Sequence, residues 1–151
     1  MTQEEKDLVV KDLCGRLPYG VMLKHISTEK PFKLFSIKRD EYASYKKDGV
    51  ELAVNGIYYD WYVNDIYHNI ELYIKPYLRP LSSMTESERK EFDDLSKFDE
   101  DVWMGNHKVG FPKNVRIMSK CVDWLNKKMF DYCGLILKGL ALEAPEGMYN
   151  N

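Results

Sequence analysis

The spacing of apolar residues changes along the chain, and the spacing near the N-terminus predicts a helix. Apolar residues recur at helical spacing near the start, at Leu8, Val9 and Leu13. Thr2 and Glu5 have the T-x-x-E spacing of a capping box, in which each residue satisfies a backbone amide of the other. Gly15 is placed to end the helix in the left-handed conformation that glycine adopts easily. The pattern therefore predicts a helix over residues 2–14.

From about residue 19 the apolar positions alternate, which is typical of β-strands. Alternating runs of strand length occupy residues 21–26, 32–37, 50–54 and 70–74. Asn55-Gly56 is a dipeptide common in two-residue hairpin turns, so residues 51–55 are expected to turn back into residues 57–62. Pro76 and Pro80 then mark the exit from the sheet, and the chain between them is expected to be extended.

Helical spacing returns after residue 81. Thr85 and Glu88 form a second capping box and predict a helix that runs to about Phe98. A later apolar stripe with the spacing i, i+3, i+4, i+7 and i+11 is expected to face the core, and consists of Met118, Cys121, Val122, Leu125 and Met129. Residues 132–138 predict a short element ending at Gly139, and residues 140–142 fit either a last strand or a docking tail.

These elements predict a single α+β domain that spans residues 1–151. An N-terminal helix (1–18) leads into a small antiparallel sheet (19–80) of about four to six strands. Helices of the last region (81–151) are expected to pack on one face of that sheet. Strands do not alternate regularly with helices, so a parallel Rossmann-like sheet is not predicted.

Charge and cysteine content narrow the class of protein. The formal net charge is −2, from 22 basic and 24 acidic residues, which disfavours general affinity for nucleic acid. The N-terminus has no apolar signal core, and no run of 18 apolar residues predicts a membrane span, so a cytoplasmic location is expected. In that compartment Cys14, Cys121 and Cys133 are expected to be small buried hydrophobic residues without an internal disulfide.

Acidic residues concentrate between positions 85 and 101, where eight carboxylates and three cations leave a net charge of −5. The candidate partner surface in this segment consists of Glu88, Glu91, Asp94, Asp99, Glu100 and Asp101. Such a segment could steer a basic protein partner. The alternative is a solvated helix face, since acidic residues are favoured at helix N-termini. Carboxylates 99–101 with His107 could bind a divalent cation, but their spacing matches no EF-hand loop, and no metal or cofactor is predicted.

Aromatic residues form the second candidate surface. Its members are Tyr58, Tyr59, Trp61, Tyr62, Lys75, Tyr77 and Arg79. Rings beside cations resemble the chemistry of a stacking platform for a single strand or a small ring. A sheet face that is packed by the C-terminal helices would explain the same composition. Glycine-rich phosphate loops and the G-x-S-x-G pattern of serine hydrolases do not occur, so no catalytic residue is predicted.

Three segments resemble an uncharacterised family of short proteins from gut bacteria and their phages. They are residues 4–21 (EEKDL and DLCGRLPYGV), residues 75–86 (KPYLRPLSSMTE) and residues 124–144 (WLN and FDYCGLILKGLALEA). The resemblance covers about a third of the chain and carries no activity, so no residue inherits a role. It implies an accessory, cytoplasmic protein of prophage or mobile-element origin. Fold alone could also account for these segments, because each lies at a junction between predicted elements.

Three function classes follow, and the first is a non-catalytic interaction protein that binds a protein partner. The second is a binding module for a small ligand or single-stranded nucleic acid on the aromatic-rich sheet. The third, a hydrolytic enzyme, would need His107 within hydrogen-bond reach of a carboxylate in a cleft. The sequence leaves the oligomeric state open.

Overall fold

A computed structural model of the chain describes residues 2–25, 30–34, 37–39, 50–56, 59–63, 74–96 and 113–149. The α-helices are α1 (Gln3–Arg16), α2 (Glu86–Ser96) and α3 (Lys113–Lys127), with 3-10 turns at Leu17–Tyr19 and Leu81–Ser83. The strands are β1 (Met22–His25), β2 (Phe32–Lys33), β3 (Lys38–Arg39), β4 (Val50–Gly56), β5 (Tyr59–Val63), β6 (Ile74–Leu78) and β7 (Leu142–Glu143). The predicted α+β class, with an N-terminal helix, a sheet and C-terminal helices, is confirmed.

The capping box of α1 forms as predicted. The Thr2 N–H donates to Glu5 Oε2 at 2.8 Å, and the Glu5 N–H donates to Thr2 Oγ1 at 3.2 Å. The predicted end at Gly15 is wrong, since α1 continues to Arg16 and the left-handed residue is Gly20, with φ of 70°. Gly15 instead permits a close approach, because a Cβ there would lie 2.8 Å from Asn126 Nδ2 on α3.

Within the described residues, four strands form a mixed sheet in the order β2-β1-β6-β7. β1 is antiparallel to β2 and to β6, whereas β7 is parallel to β6. This parallel pair departs from the predicted antiparallel sheet. It arises because the chain crosses over through α2 and α3 before it returns to the sheet edge, and parallel strands need such a long connection.

Pro76 lies inside β6, an inner strand of this sheet, and not at the predicted exit from it. A proline there lacks the N–H that a neighbouring strand would require. The Leu78 carbonyl accepts from the Ala144 N–H, so the backbone groups of Leu78 point towards β7. Backbone groups of residues two apart point to the same side of a strand, so the backbone groups of Pro76 also point towards β7. Pairing with β7 starts only at Tyr77, so the missing N–H of Pro76 leaves no partner unsatisfied there.

A second, three-stranded sheet has the order β3-β4-β5. Its β4–β5 pair confirms the hairpin, but the predicted turn at Asn55-Gly56 is wrong. Asn55 pairs with Asp60 and Gly56 with Tyr59, so both belong to β4. Five consecutive residue pairs, from Leu52 with Val63 to Gly56 with Tyr59, define this register, so the backbone ladder overrides the local preference of Asn-Gly for a turn.

Two hydrophobic clusters form the described core. The larger joins α1 to the sheet and the C-terminal segment, and its buried residues are Val9, Leu13, Val21, Leu23, Leu34, Ile74, Leu78, Met129, Leu135, Leu140 and Ala141. The smaller consists of Trp124, Leu125 and Phe130, with the half-buried Phe92 and Leu95 of α2 packed against it. The rings of Trp124 and Phe130 stack with centroids 5.7 Å apart.

The predicted core stripe on α3 is only partly correct. Leu125 and Met129 are buried, but Met118 is 64% exposed and Val122 is 39% exposed. The difference lies along the helix and not around it. Residues 115–123 include no buried residue, whereas Trp124, Leu125 and Asn126 are all buried, so α3 enters the described core only at its C-terminal end.

The segment after α3 forms a single turn in place of the short element expected at residues 132–138. The Lys138 N–H donates to the Gly134 carbonyl at 3.3 Å, and the Leu140 N–H donates to the Leu135 carbonyl at 2.9 Å. Gly139, with φ of 69°, ends this turn at the predicted position. β7 follows at Leu142–Glu143, so of the segment predicted at residues 140–142 only Leu142 is in a strand, and the buried Leu140 and Ala141 precede it.

Candidate functional site

Arg79 connects the end of β6 to the segment that follows α3. Its N–H donates to the Met129 carbonyl and its carbonyl accepts from the Asp131 N–H, both at 2.8 Å. Its guanidinium lies 4.3 Å from the ring centroid of Phe130. Two guanidinium nitrogens donate to Glu88 on α2, at 2.8 and 2.9 Å. Arg79 therefore fixes three parts of the fold relative to one another.

Glu88 serves both this ion pair and the cap of α2. The Thr85 N–H donates to Glu88 Oε2 at 3.0 Å, and the Glu88 N–H donates to Thr85 Oγ1 at 3.2 Å, which confirms the second capping box. The hydrogen bonds from Arg79, followed by those from Thr85, lower the pKa of Glu88 from 4.5 to about 2. Arg79 and Glu88, assigned to separate candidate surfaces from the sequence, thus compensate each other's charge. A binding role for either stays a prediction.

A second ion pair, between Asp12 and Arg16, was not predicted. Both side chains are fully buried, and Arg16 donates to the Asp12 carboxylate at 2.7 and 2.8 Å. Arg16 Nη2 also donates to the Phe130 carbonyl at 2.9 Å, and its guanidinium lies 5.4 Å from the ring centroid of Tyr132. The i, i+4 spacing of the pair is visible in the sequence, but such a pair usually lies on a solvated helix face. Its burial depends on a contact 114 residues away.

Asp131 completes the network around the Phe130 segment. Its buried carboxylate accepts the Leu135 and Ile136 N–H groups, each at 2.8 Å, and so caps the turn before β7. Arg16, Arg79 and Asp131 all engage backbone groups or partner side chains within the fold. This network is therefore structural, and it does not present a free acid, base or nucleophile.

The acidic surface is only partly described. None of the residues of α2 is buried, and Glu91 and Asp94 are exposed. Glu91 lies 3.4 Å from Lys128 Nζ, and the Trp124 indole, followed by the Lys128 charge, lowers the pKa of Glu91. Asp99, Glu100, Asp101 and His107 lie outside the described residues, so the candidate cation site and hydrolase site stay predictions.

The helix beside this acidic surface has the opposite charge. α2 carries five carboxylates and two cations, whereas α3 carries four cations and one carboxylate. The two helices pack together through Phe92 and Trp124, whose ring centroids are 5.3 Å apart. Charge complementarity within the fold therefore accounts for part of the acidic pattern, in keeping with the solvated-face alternative.

The aromatic candidate surface is divided between the two sheets. Tyr59, Trp61 and Tyr62 belong to β5 of the three-stranded sheet, and Tyr58 lies outside the described residues. Lys75 and Tyr77 belong to β6 of the four-stranded sheet, where they alternate with the buried residues Ile74, Pro76 and Leu78.

Lysines gather on the face of the four-stranded sheet that points away from the core. Lys24 of β1 pairs directly with Lys75 of β6, and Lys33 of β2 pairs with Met22. Leu23 and Pro76 are buried on the inner face. Neighbouring residues of a strand point to opposite faces, so the three lysines and Tyr77 lie together on the outer face. Sequence reasoning missed Lys24 and Lys33. Their alternating positions were visible, but the register that brings them beside Lys75 was not.

The part of α3 before Trp124 exposes apolar residues where the sequence predicted core. Val115 is 57% exposed, and with Met118 and Val122 it forms a stripe at helical spacing, which we call the α3 outer stripe. The neighbouring Arg116, Ser119 and Lys120 are also exposed. Exposed apolar residues that are contiguous on one helix face are characteristic of interaction surfaces.

The cysteines differ from the expected buried state. Cys14 is exposed, while Cys121 and Cys133 are half-buried, and all three are free thiols. Cys14 follows the buried Leu13 and so lies about 100° further around α1, away from the core. Burial raises the pKa of the Cys133 thiol.

No group of three His, Cys, Asp or Glu residues in the described ranges is arranged to hold a metal ion. In the same part of the chain, no helix has both the length and the apolar content needed to cross a bilayer.

Comparison of the chain with models of protein families, with curated proteins and with solved structures gave no match.

Proposed function

We propose that the chain is a non-catalytic accessory protein that binds a protein partner, and that the α3 outer stripe is the contact. The observation that carries this proposal is the exposure of Val115, Met118 and Val122 at helical spacing. Apolar residues at i, i+3 and i+7 are the anchors by which a helix face docks against a groove of a partner. A cytoplasmic location and a phage or mobile-element origin belong to the same proposal, and the origin rests on the resemblance alone.

Charge supports a role for α2 in the approach of that partner. None of the residues of α2 is buried, and its exposed carboxylates belong to the acidic segment 85–101 that was identified from the sequence. A partner with a basic face would gain association rate from this field, and the gain would decrease with salt. Steering and contact would then be separate properties, since α2 supplies charge and α3 supplies apolar area.

The test is capture of the partner on immobilised protein, with a variant that changes only the α3 outer stripe. Met118→Asp places a charge in the stripe, and Ser119→Asp places the same charge on the exposed neighbouring residue as a control. Lysate of the organism that encodes the chain should yield the same protein on the wild type and on Ser119→Asp, and not on Met118→Asp. Equal retention by all three folded proteins would contradict the proposal.

A further inference from the structure

We propose that the gap between β1 and β6 at Met22 and Tyr77 is a binding site for a neutral phenol, which the chain fills with its own Tyr149. Residues 145–149 then form a strap that a phenol from solution displaces. This site is independent of the α3 outer stripe, because its contacts come from β1, β6 and the segment after β7.

The first observation is an interruption in the pairing of β1 with β6. The paired residues end at Leu23, and the next two residues in register, Met22 and Tyr77, are not paired with each other. The Tyr149 hydroxyl accepts from the Met22 N–H at 2.9 Å and donates to the Tyr77 carbonyl at 2.8 Å. A side chain from a distant part of the chain therefore takes the position of a direct bond between the strands.

The chemistry of the gap selects a phenol. The ring of Tyr149 packs against the larger core cluster, so the walls of the site are apolar. One backbone N–H and one backbone carbonyl meet at the hydroxyl, and a single group satisfies both only if it accepts and donates. Burial raises the pKa of Tyr149 to about 12, so the site favours a hydroxyl that keeps its proton.

The attachment of the strap makes this occupant exchangeable. Residues 145–147 are exposed, and the Met148 N–H bonds within the strap, to the Pro145 carbonyl. Among the described residues, the Tyr149 hydroxyl makes the only hydrogen bonds from the strap to the rest of the fold. A side chain on a short flexible connection competes with a free ligand at an effective concentration of about millimolar, so phenol above that concentration can replace it.

The first experiment measures ligand binding and thermal unfolding of Tyr149→Ala, which removes the phenol group and keeps the rest of the chain. Phenol at about five times its dissociation constant should raise the melting temperature by about 2–4 °C. Benzene lacks the hydroxyl and should bind at least about tenfold more weakly in a calorimetric titration, the effect of two hydrogen bonds. If Tyr149→Ala is unfolded without ligand, phenol and not benzene should restore the folded state.

The matched control is Leu125→Ala, which removes an apolar side chain from the smaller core cluster. A cavity of that kind is apolar and should show no preference for phenol over benzene. The same preference in this control, or equal affinity of Tyr149→Ala for the two ligands, would overturn the proposal. Absence of phenol binding to Tyr149→Ala would also overturn it, because β1 and β6 would then close on each other without an occupant.

The second experiment follows the amide NMR signals of Gly147 and Met148 in the wild type. Phenol at about 20 mM, above the effective concentration of the tethered ring, should move these signals towards their positions in Tyr149→Ala. Benzene at the same concentration should leave them in place. Tyr149→Phe lacks both hydrogen bonds, so its strap should be displaced at a lower phenol concentration. Signals that stay in place in both proteins would make Tyr149 a fixed structural residue and overturn the proposal.

Discussion

Two arginine side chains fix the segment around Phe130 to the rest of the molecule. Arg16 reaches it from α1 through the Phe130 carbonyl, and Arg79 reaches it from the end of β6 through backbone and ring contacts. Each arginine is held by a bidentate carboxylate, Asp12 or Glu88. The two pairs differ in burial, so their effects on stability are expected to differ as well.

Asp12→Asn should lower the free energy of unfolding by about 3–5 kcal/mol, because it leaves the buried guanidinium of Arg16 without a counter-charge. The double change Asp12→Leu with Arg16→Met should cost less than Asp12→Asn alone, since no unpaired charge remains. Urea unfolding measures both. A loss below about 1 kcal/mol for Asp12→Asn would show that this pair is solvated.

Glu88→Gln should destabilise the protein at neutral pH by about 1 kcal/mol, the upper range for a partly exposed ion pair. The pKa of Glu88 is lowered on folding, so its stabilisation is complete above the unfolded value of 4.5 and is lost as pH falls through about 2. The difference between wild type and variant should therefore narrow between pH 4.5 and 2. Glutamine retains one acceptor oxygen, but its amide nitrogen cannot accept from Arg79, so the change removes the charge together with one of the two Arg79 hydrogen bonds.

The control for this titration is Glu86→Gln, in the same first turn of α2 and exposed. It should change the free energy of unfolding by less than about 0.5 kcal/mol. A gap between wild type and Glu88→Gln that stays constant from neutral pH down to 2 would contradict the assigned pKa.

At the scale of elements, the end of α3 is unusual because a methionine has the left-handed conformation. Met129 has φ of 60° and is 2% exposed, and the Phe130 N–H closes the cap on the Leu125 carbonyl at 3.0 Å. Glycine is the common residue at this position of a helix cap. The buried side chain of Met129 in the main core offsets the backbone cost, which is about 1–2 kcal/mol for a non-glycine residue.

Replacement of Met129 should reverse the usual order of alanine and glycine. Met129→Ala loses the buried side chain and keeps the strain, whereas Met129→Gly loses the same contacts and removes the strain. Both should destabilise, with the glycine variant more stable than the alanine variant by about 0.5–1 kcal/mol. Urea unfolding measures both variants. A more stable alanine variant, which is the order found inside a regular helix, would contradict the prediction.

The extent of the core along α3 can be tested by two truncations on the predicted stripe. Leu125→Ala should cost about 2–5 kcal/mol, the usual effect of removing a buried leucine side chain. Val122→Ala, one turn before the buried part of α3, should cost less than about 0.5 kcal/mol. Equal losses in urea unfolding would place the whole stripe in the core and remove the observation on which the α3 outer stripe depends.

Signals that act within one turn of a helix could be predicted from the sequence. Thr2 with Glu5 and Thr85 with Glu88 formed their capping boxes because each box needs only residues three apart. Predictions that depended on distant partners were less successful. Gly15 serves contact with Asn126, and Asn55-Gly56 is held in β4 by β5, so neither follows its local preference. The candidate site shows the same limit, because Arg79 and Glu88 were each identified but their pairing was not.

At the scale of the whole molecule, the main core combines both ends of the chain. Val9 and Leu13 of α1 share one cluster with Leu135 and Leu140, and β7 closes the edge of the sheet beside β6. Tyr149 adds a further tie, because its hydroxyl accepts from the Met22 N–H at 2.9 Å and donates to the Tyr77 carbonyl at 2.8 Å. Burial raises the pKa of Tyr149 to about 12, so this hydroxyl stays protonated at physiological pH.

Removal of β7 and of the Tyr149 hydrogen bonds should therefore destabilise the entire fold and not the C-terminal segment alone. A chain that ends at Gly139 lacks Leu140, Ala141, β7 and Tyr149, and so exposes the β7 edge of β6. We expect it to lose the single cooperative thermal transition of the full chain. The matched control, Tyr149→Phe, removes only the hydroxyl and should keep that transition at a lower temperature. A cooperative transition in the truncated chain would contradict the expectation.

The bond between Arg16 and the Phe130 carbonyl also has a consequence for synthesis on the ribosome. Its partners are 114 residues apart, so at roughly 5–20 residues per second Arg16 is made about 6–23 s before its Phe130 partner. During that interval the Asp12–Arg16 pair can form within α1 alone, where an i, i+4 pair adds about 0.2–0.5 kcal/mol to a solvated helix. The same two side chains would keep the nascent helix hydrated before they become its buried attachment to the finished protein.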